Sequence, residues 1–64
     1  MKTADILKEL RGNKSQAEIA LSIGVTKSSW AMYERGERVP RDEVKVKIAG
    51  YFGKSVQDIF YPSV

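Results

Sequence analysis

The side chains in this sequence that can carry chemistry are cations, hydroxyls and carboxylates. Histidine and cysteine are both absent. That removes the commonest general base, the thiolate nucleophile and the usual nitrogen and sulfur ligands of a metal ion. The acidic residues are scattered among segments that read as helix starts, and no carboxylate pair stands out as a general acid and base. The expectation is therefore no enzyme, no metal and no cofactor. What remains is charge. Lys and Arg number 11 against 8 Asp and Glu, a net +3, with an isoelectric point near 9.4. Such a balance is a weak pull toward a polyanionic partner.

Those cations have to be positioned by a small body. Sixty-four residues fit one domain over 1–64, which buries only about 60% of the surface its unfolded chain exposes. No disulfide can brace it. Hydrophobic residues at 42% and charged residues at 30% are ordinary for a globular chain and argue against disorder. No apolar run approaches the roughly 20 residues that span a bilayer. Met1-Lys2-Thr3-Ala4-Asp5 leads into a charged amphipathic stretch, unlike a signal peptide. A soluble, cytoplasmic protein with no membrane partner is expected, and so small a core suggests no ligand pocket.

Glycines punctuate the chain. Gly12, Gly24, Gly36, Gly50 and Gly53 fall among segments with helical spacing. Ile6, Leu7 and Leu10 share one face, which predicts a first helix, capped by Thr3 or Asp5 and closed by Gly12-Asn13. Ser15 followed three residues later by Glu18 is a capping box for a second helix with Ile19, Ala20 and Ile23 inward. Thr26 is a good N-cap for a third over Lys27–Arg35, and Gly36 suits its far end. A fourth follows Pro40, with Asp42 and Glu43 in its first turn and Val44, Ile48, Tyr51 and Phe52 on its apolar positions. Ser55 caps a short fifth ending at Phe60. Nothing alternates at period two, so the fold class is all-α, with five short helices.

The most informative stretch runs from Gln16 to Arg35, two short helices joined by a turn centred on Gly24. Ala20 is small enough for the helices to cross closely. Gly24 tolerates a positive φ. Val25, Trp30 and Tyr33 supply the apolar contacts that fix the crossing angle. This is a helix-turn-helix arrangement at about 16–35, whose second helix can enter a major groove.

Ser15-Gln16-Ala17-Glu18-Ile19-Ala20, Ile23-Gly24-Val25-Thr26-Lys27-Ser28-Ser29-Trp30, Tyr33-Glu34-Arg35-Gly36, Pro40 and Ile48-Ala49 with Phe52-Gly53 resemble the lambda-repressor-like, or XRE-type, helix-turn-helix proteins. The resemblance covers nearly the whole chain, from about residue 6 to residue 60. It implies a compact five-helix DNA-binding domain that works as a homodimer on a pseudo-palindromic operator. The link Gly12-Asn13-Lys14-Ser15 is tighter than in many members, which puts the usual contacts of that first loop in doubt. At this length, the cleavable C-terminal domain of long phage repressors is not expected.

With Trp30 inward, Tyr33, Glu34 and Glu37 lie near the same side of the third helix, while Lys27, Ser28, Ala31, Met32 and Arg35 face away. In the family, positions matching Lys27, Ser28 and Met32 commonly face base edges. Lys27 can donate to guanine O6 and N7, Ser28 can donate or accept, and Met32 can pack on a thymine methyl. Ala31 shares that surface. The Gln matching Gln16 holds a phosphate in the family and braces the reading helix. Lys14, Ser29, Arg35, Arg38 and Arg41 are candidates for flanking phosphates, contacts that position without reading sequence. Glu37, between Arg35 and Arg38, would weaken that patch. The family often pairs the residue matching Glu34 with the Arg matched by Arg11, so an Arg11–Glu34 ion pair is expected. Trp30 is read as core, in preference to a platform for unpaired bases.

Tyr51, Phe52, Phe60 and Tyr61 lie in the last fourteen positions. A two-turn helix cannot hide them all, so Val56, Ile59, Phe60 and Tyr61 are candidates for a dimer seam. The combined expectation is a dimeric, sequence-specific repressor of phage, mobile-element or bacterial origin, bound to double-stranded operator DNA in the nucleoid. No small-molecule ligand is evident. An antitoxin or a protein-interaction module with the same fold is the competing reading.

Overall fold

The computed structural model describes residues 2–62. Its helices are α1 (Thr3–Arg11), α2 (Gln16–Ile23), α3 (Lys27–Arg35), α4 (Asp42–Phe52) and α5 (Val56–Phe60). The fold is all-α, and no strand occurs among the described residues. α2 packs on α3, α1 crosses α3, and α4 bridges α2 to α5.

The helix starts follow from their caps. Ser15 Oγ accepts from the Glu18 amide at 3.0 Å, Thr26 Oγ1 from the Ser29 amide at 3.0 Å, and Ser55 Oγ from the Asp58 amide at 3.0 Å. Each satisfies one donor that a helix N-terminus leaves unpaired. α1 departs from the sequence expectation. Its capping position is Lys2, with extended backbone and no side-chain cap, so neither Thr3 nor Asp5 serves there. The helix begins earlier than the polar residues suggest, and both lie inside its first turn. Asp5 there still interacts favourably with the helix dipole.

The turn between α2 and α3 depends on Gly24, whose φ is 93° and ψ 31°. Its amide donates to the Ala20 carbonyl at 2.8 Å, and the Val25 amide donates to the same oxygen at 3.0 Å. Two bonds on one carbonyl stop α2 and reverse the chain within three residues, Gly24 to Thr26. A side chain at this φ would be strained even though the space beside Gly24 is open.

The core joins all five helices. Leu7, Ile19, Ala20, Ile23, Trp30, Tyr33, Ile48, Ala49 and Ile59 are buried, with Ile6, Leu10, Val25, Val44, Phe52, Val56 and Phe60 packed partly against them. Trp30 is fully buried. Its ring meets Tyr33 edge-on at 6.2 Å between centroids and Phe52 at 6.4 Å. The tryptophan ring thus links α3 to Phe52 at the end of α4, and its indole face is unavailable to a nucleic-acid base.

Candidate nucleic-acid interface

α3 is a rod with one face fixed in the core and one free. Trp30, Tyr33 and Glu34 form the inner face. Lys27, Ser28 and Arg35 are exposed, and Ala31 and Met32 are half-buried between them. The five residues expected to face outward thus form one edge, its most accessible part being the N-terminal turn. Glu37 departs from its expected position. Helical spacing placed it beside Trp30 and Glu34, yet it is exposed and pairs with Arg35 at 3.0 Å. The reason is local: Gly36 ends α3 in the left-handed conformation, so the helical phase does not extend to Glu37.

A buried carboxylate fixes the orientation of this rod. Glu34 is only 2% exposed. Arg11 donates to it twice, from Nε to Oε2 at 2.6 Å and from Nη2 to Oε1 at 3.1 Å. Gln16 Nε2 donates to Oε1 at 3.1 Å. The Trp30 indole N–H donates to Oε2. Burial pushes the Glu34 carboxyl up, but the bonds from Arg11, Gln16 and Trp30 outweigh it and hold the pKa below the ordinary value. The same pair holds the Arg11 guanidinium above its usual range. One carboxylate therefore locks α1, α2 and α3 together, a geometric role that outlasts the cancellation of Coulomb gain by desolvation.

The remaining cations surround this core unevenly. Arg11 also donates from Nη1 to the Lys14 carbonyl at 2.9 Å, tying down the short link before α2. Lys14 is exposed, and its ammonium donates to the Tyr51 hydroxyl at 3.2 Å while lying 5.4 Å from that ring's centroid. That bond holds the Tyr51 hydroxyl below its ordinary pKa. Gln16 and Ser29 are half-buried near the N-termini of α2 and α3, and the Thr26 hydroxyl donates to Ser29 Oγ at 2.9 Å. Arg38 and Arg41 are exposed on the segment between α3 and α4. Arg35 is also exposed, but Glu37 neutralises it in part.

Ile59 is misplaced in the expected seam. It is 1% exposed and belongs to the subunit's own core, so it has no surface left to offer a partner. Val56 and Phe60 are half-buried, and Tyr61 is 52% exposed. Lys45 is the residue that sequence reasoning missed. It is 8% exposed, donates to the Tyr61 hydroxyl at 3.0 Å and lies 5.0 Å from the Tyr61 ring centroid. The signal was available: Lys45 precedes Ile48 and Ala49 by three and four residues and shares their face.

Two short helices locked at a glycine turn, with the polar edge of the second one turned outward, define a DNA-binding helix-turn-helix domain. The family model described as helix-turn-helix matches residues 7–59, and the chain belongs to this family, the XRE-type, lambda-repressor-like helix-turn-helix proteins. It is a DNA-binding regulator in that sense. Comparisons with curated proteins and with solved structures each gave no match. Among the described residues no helix is long and apolar enough to cross a membrane.

Proposed function

We propose that this protein is a sequence-specific transcriptional repressor that binds double-stranded operator DNA as a homodimer. Residues 1–64 act as one DNA-binding domain, working in the bacterial nucleoid. α3 enters the major groove, with Lys27 and Ser28 on base edges and Ala31 and Met32 against thymine methyls one turn on. Gln16, Lys14, Ser29, Arg35, Arg38 and Arg41 set the register on flanking phosphates. The observation that carries the reading is the exposed edge of α3 opposite a face fixed by Trp30 and Glu34.

Dimerisation follows from information. One such domain grips four or five base pairs at most, about half an operator. A twofold dimer sets two reading helices about 34 Å apart, one turn of B-DNA. Val56, Phe60 and Tyr61 supply the seam. Occupancy of an operator that overlaps a promoter then blocks polymerase. Selection of bound duplexes from a random pool tests the proposal. A palindrome with a one-turn repeat is expected, and a pool that shows no enrichment in dilute buffer overturns it.

A further inference from the structure

One concavity on the surface has no part in base reading. It has a volume of about 650 Å³ and lies between α1, α4, α5 and the segment following α3. None of Lys27, Ser28, Ala31 and Met32 lines it. The sequence suggested no ligand pocket because the core is small; this groove forms between elements at the surface, where periodicity gives no warning. Its volume falls within the range of small-molecule sites, roughly 300–1,000 Å³.

The lining combines apolar and aromatic side chains with cations. Val39, Phe60 and Tyr61 contribute apolar surface. Lys8, Arg38 and Lys45 contribute positive charge. The acidic residues of the lining are Asp5 and Glu34, and Glu34 is already matched by Arg11. Among the described residues Lys8 and Arg38 form no ion pair. Lys45 is more than nine-tenths buried, yet its ammonium has three donors and one close acceptor, the Tyr61 hydroxyl at 3.0 Å. The fully exposed Asp42 carboxylate forms an ion pair with the Lys45 ammonium at 3.7 Å, longer than a hydrogen bond, from the solvent side. A largely buried lysine whose carboxylate partner is solvent-exposed, grouped with the unpaired Lys8 and Arg38 and with the Phe60 and Tyr61 rings, is complementary to an oxyanion carried on an apolar body.

We propose that this groove binds a small organic anion with an aromatic body and a carboxylate, and that its occupancy releases the protein from DNA. Lys45 and Arg38 hold the carboxylate, while Val39, Phe60 and Tyr61 cover the ring. Release rests on the reading that Arg38 contacts an operator phosphate: a ligand carboxylate on Arg38 neutralises its charge and draws its donors from the phosphate, and the two anions repel, so the ligand and DNA bind with negative coupling. Phe60 and Tyr61 belong to the proposed seam as well, which gives the ligand a second point of leverage.

The probe pair is 1-naphthoate and 1-naphthylmethylamine, titrated into the ¹⁵N-labelled protein without DNA. Naphthoate is expected to shift the amides of Lys8, Arg38, Lys45 and Tyr61, and the amine to leave them in place. Lys45→Met keeps the apolar stem and should weaken naphthoate by about tenfold, the worth of one charge-assisted hydrogen bond. Arg38→Gln, at an exposed site, should weaken it too without touching the core. Equal response to both probes, shifts centred on Lys27 and Ser28, or unchanged affinity in both variants overturns the site. Naphthoate should then raise the dissociation constant of a selected duplex as the groove fills; groove binding with unchanged duplex affinity overturns the coupling. Naphthoate binding in a protein that holds no duplex at all leaves the groove standing and sinks the operator reading instead.

Discussion

The Gln16 amide donates to the Glu34 carboxylate at 3.1 Å, joining the first residue of α2 to the last turn of α3. The two ends of the helix-turn-helix are thereby closed into a ring. One side of it is the covalent turn at Gly24, and the other is this hydrogen bond. Arg11 reaches the same carboxylate from α1, so the angle at which α3 leaves the body is set by three helices at once.

The carboxylate makes stability depend on acid. The folded pKa of Glu34 lies below its unfolded value, so its contribution is complete above the ordinary glutamate range, about 4.3. It is lost as pH falls through the lower folded value. Urea unfolding from pH 6 downward should show this loss. Arg11→Met should cost about 3 kcal/mol at neutral pH, the lower end for a broken buried pair because Arg11 keeps some exposure. It should also shrink the acid-side loss, since burial of Glu34 then opposes fewer bonds. An acid profile identical to the parent's would remove Glu34 as its source.

Lys27 and Arg38 should separate reading from positioning. Lys27→Ala should cost roughly 1–3 kcal/mol per half-site and relax base preference at one position. Arg38→Ala should leave preference intact and flatten the salt slope by about one unit. Both follow from binding isotherms on the selected operator and single-base variants across a salt series. Uniform weakening by Lys27→Ala would make it a phosphate contact.

Gly24 offers a test of the turn. Nothing lies within 4 Å of a Cβ built there, so Gly24→Ala should cost only the left-handed backbone, about 1–2 kcal/mol. Gly24→Asn should cost less, because Asn tolerates this conformation better. Thermal unfolding measures both. Equal losses in the two variants would mean that something other than φ governs the position.

The seam is tested at its exposed residue. Tyr61→Ser removes an aromatic ring that is half exposed in the subunit while leaving the buried Ile59 in place. Sedimentation should show the dimer shifted toward monomer, with duplex affinity falling in parallel. An unchanged mass distribution would place the seam elsewhere.

Much of this protein was legible in its residue order because the signals were local. Caps at Ser15, Thr26 and Ser55 act within one helical turn, and spacing placed Trp30, Tyr33 and Glu34 on one face of α3. The family resemblance added the partner of Glu34. The expectations failed where helical phase was carried past a glycine stop or a cap was assigned by residue type alone. Glu37 lies past the end of α3 at Gly36, and α1 begins at Thr3 itself, with Lys2 in the capping position. Other facts existed only after packing: Ile59 was used up by the core instead of a seam, Lys45 was buried under Tyr61, and a groove opened between α1, α4, α5 and the Arg38 segment. The order of residues fixes which face each helix turns inward, because that depends on a repeat of 3.6. Which residues from distant helices meet, and what space they leave between them, depends on crossing angles that no single helix encodes.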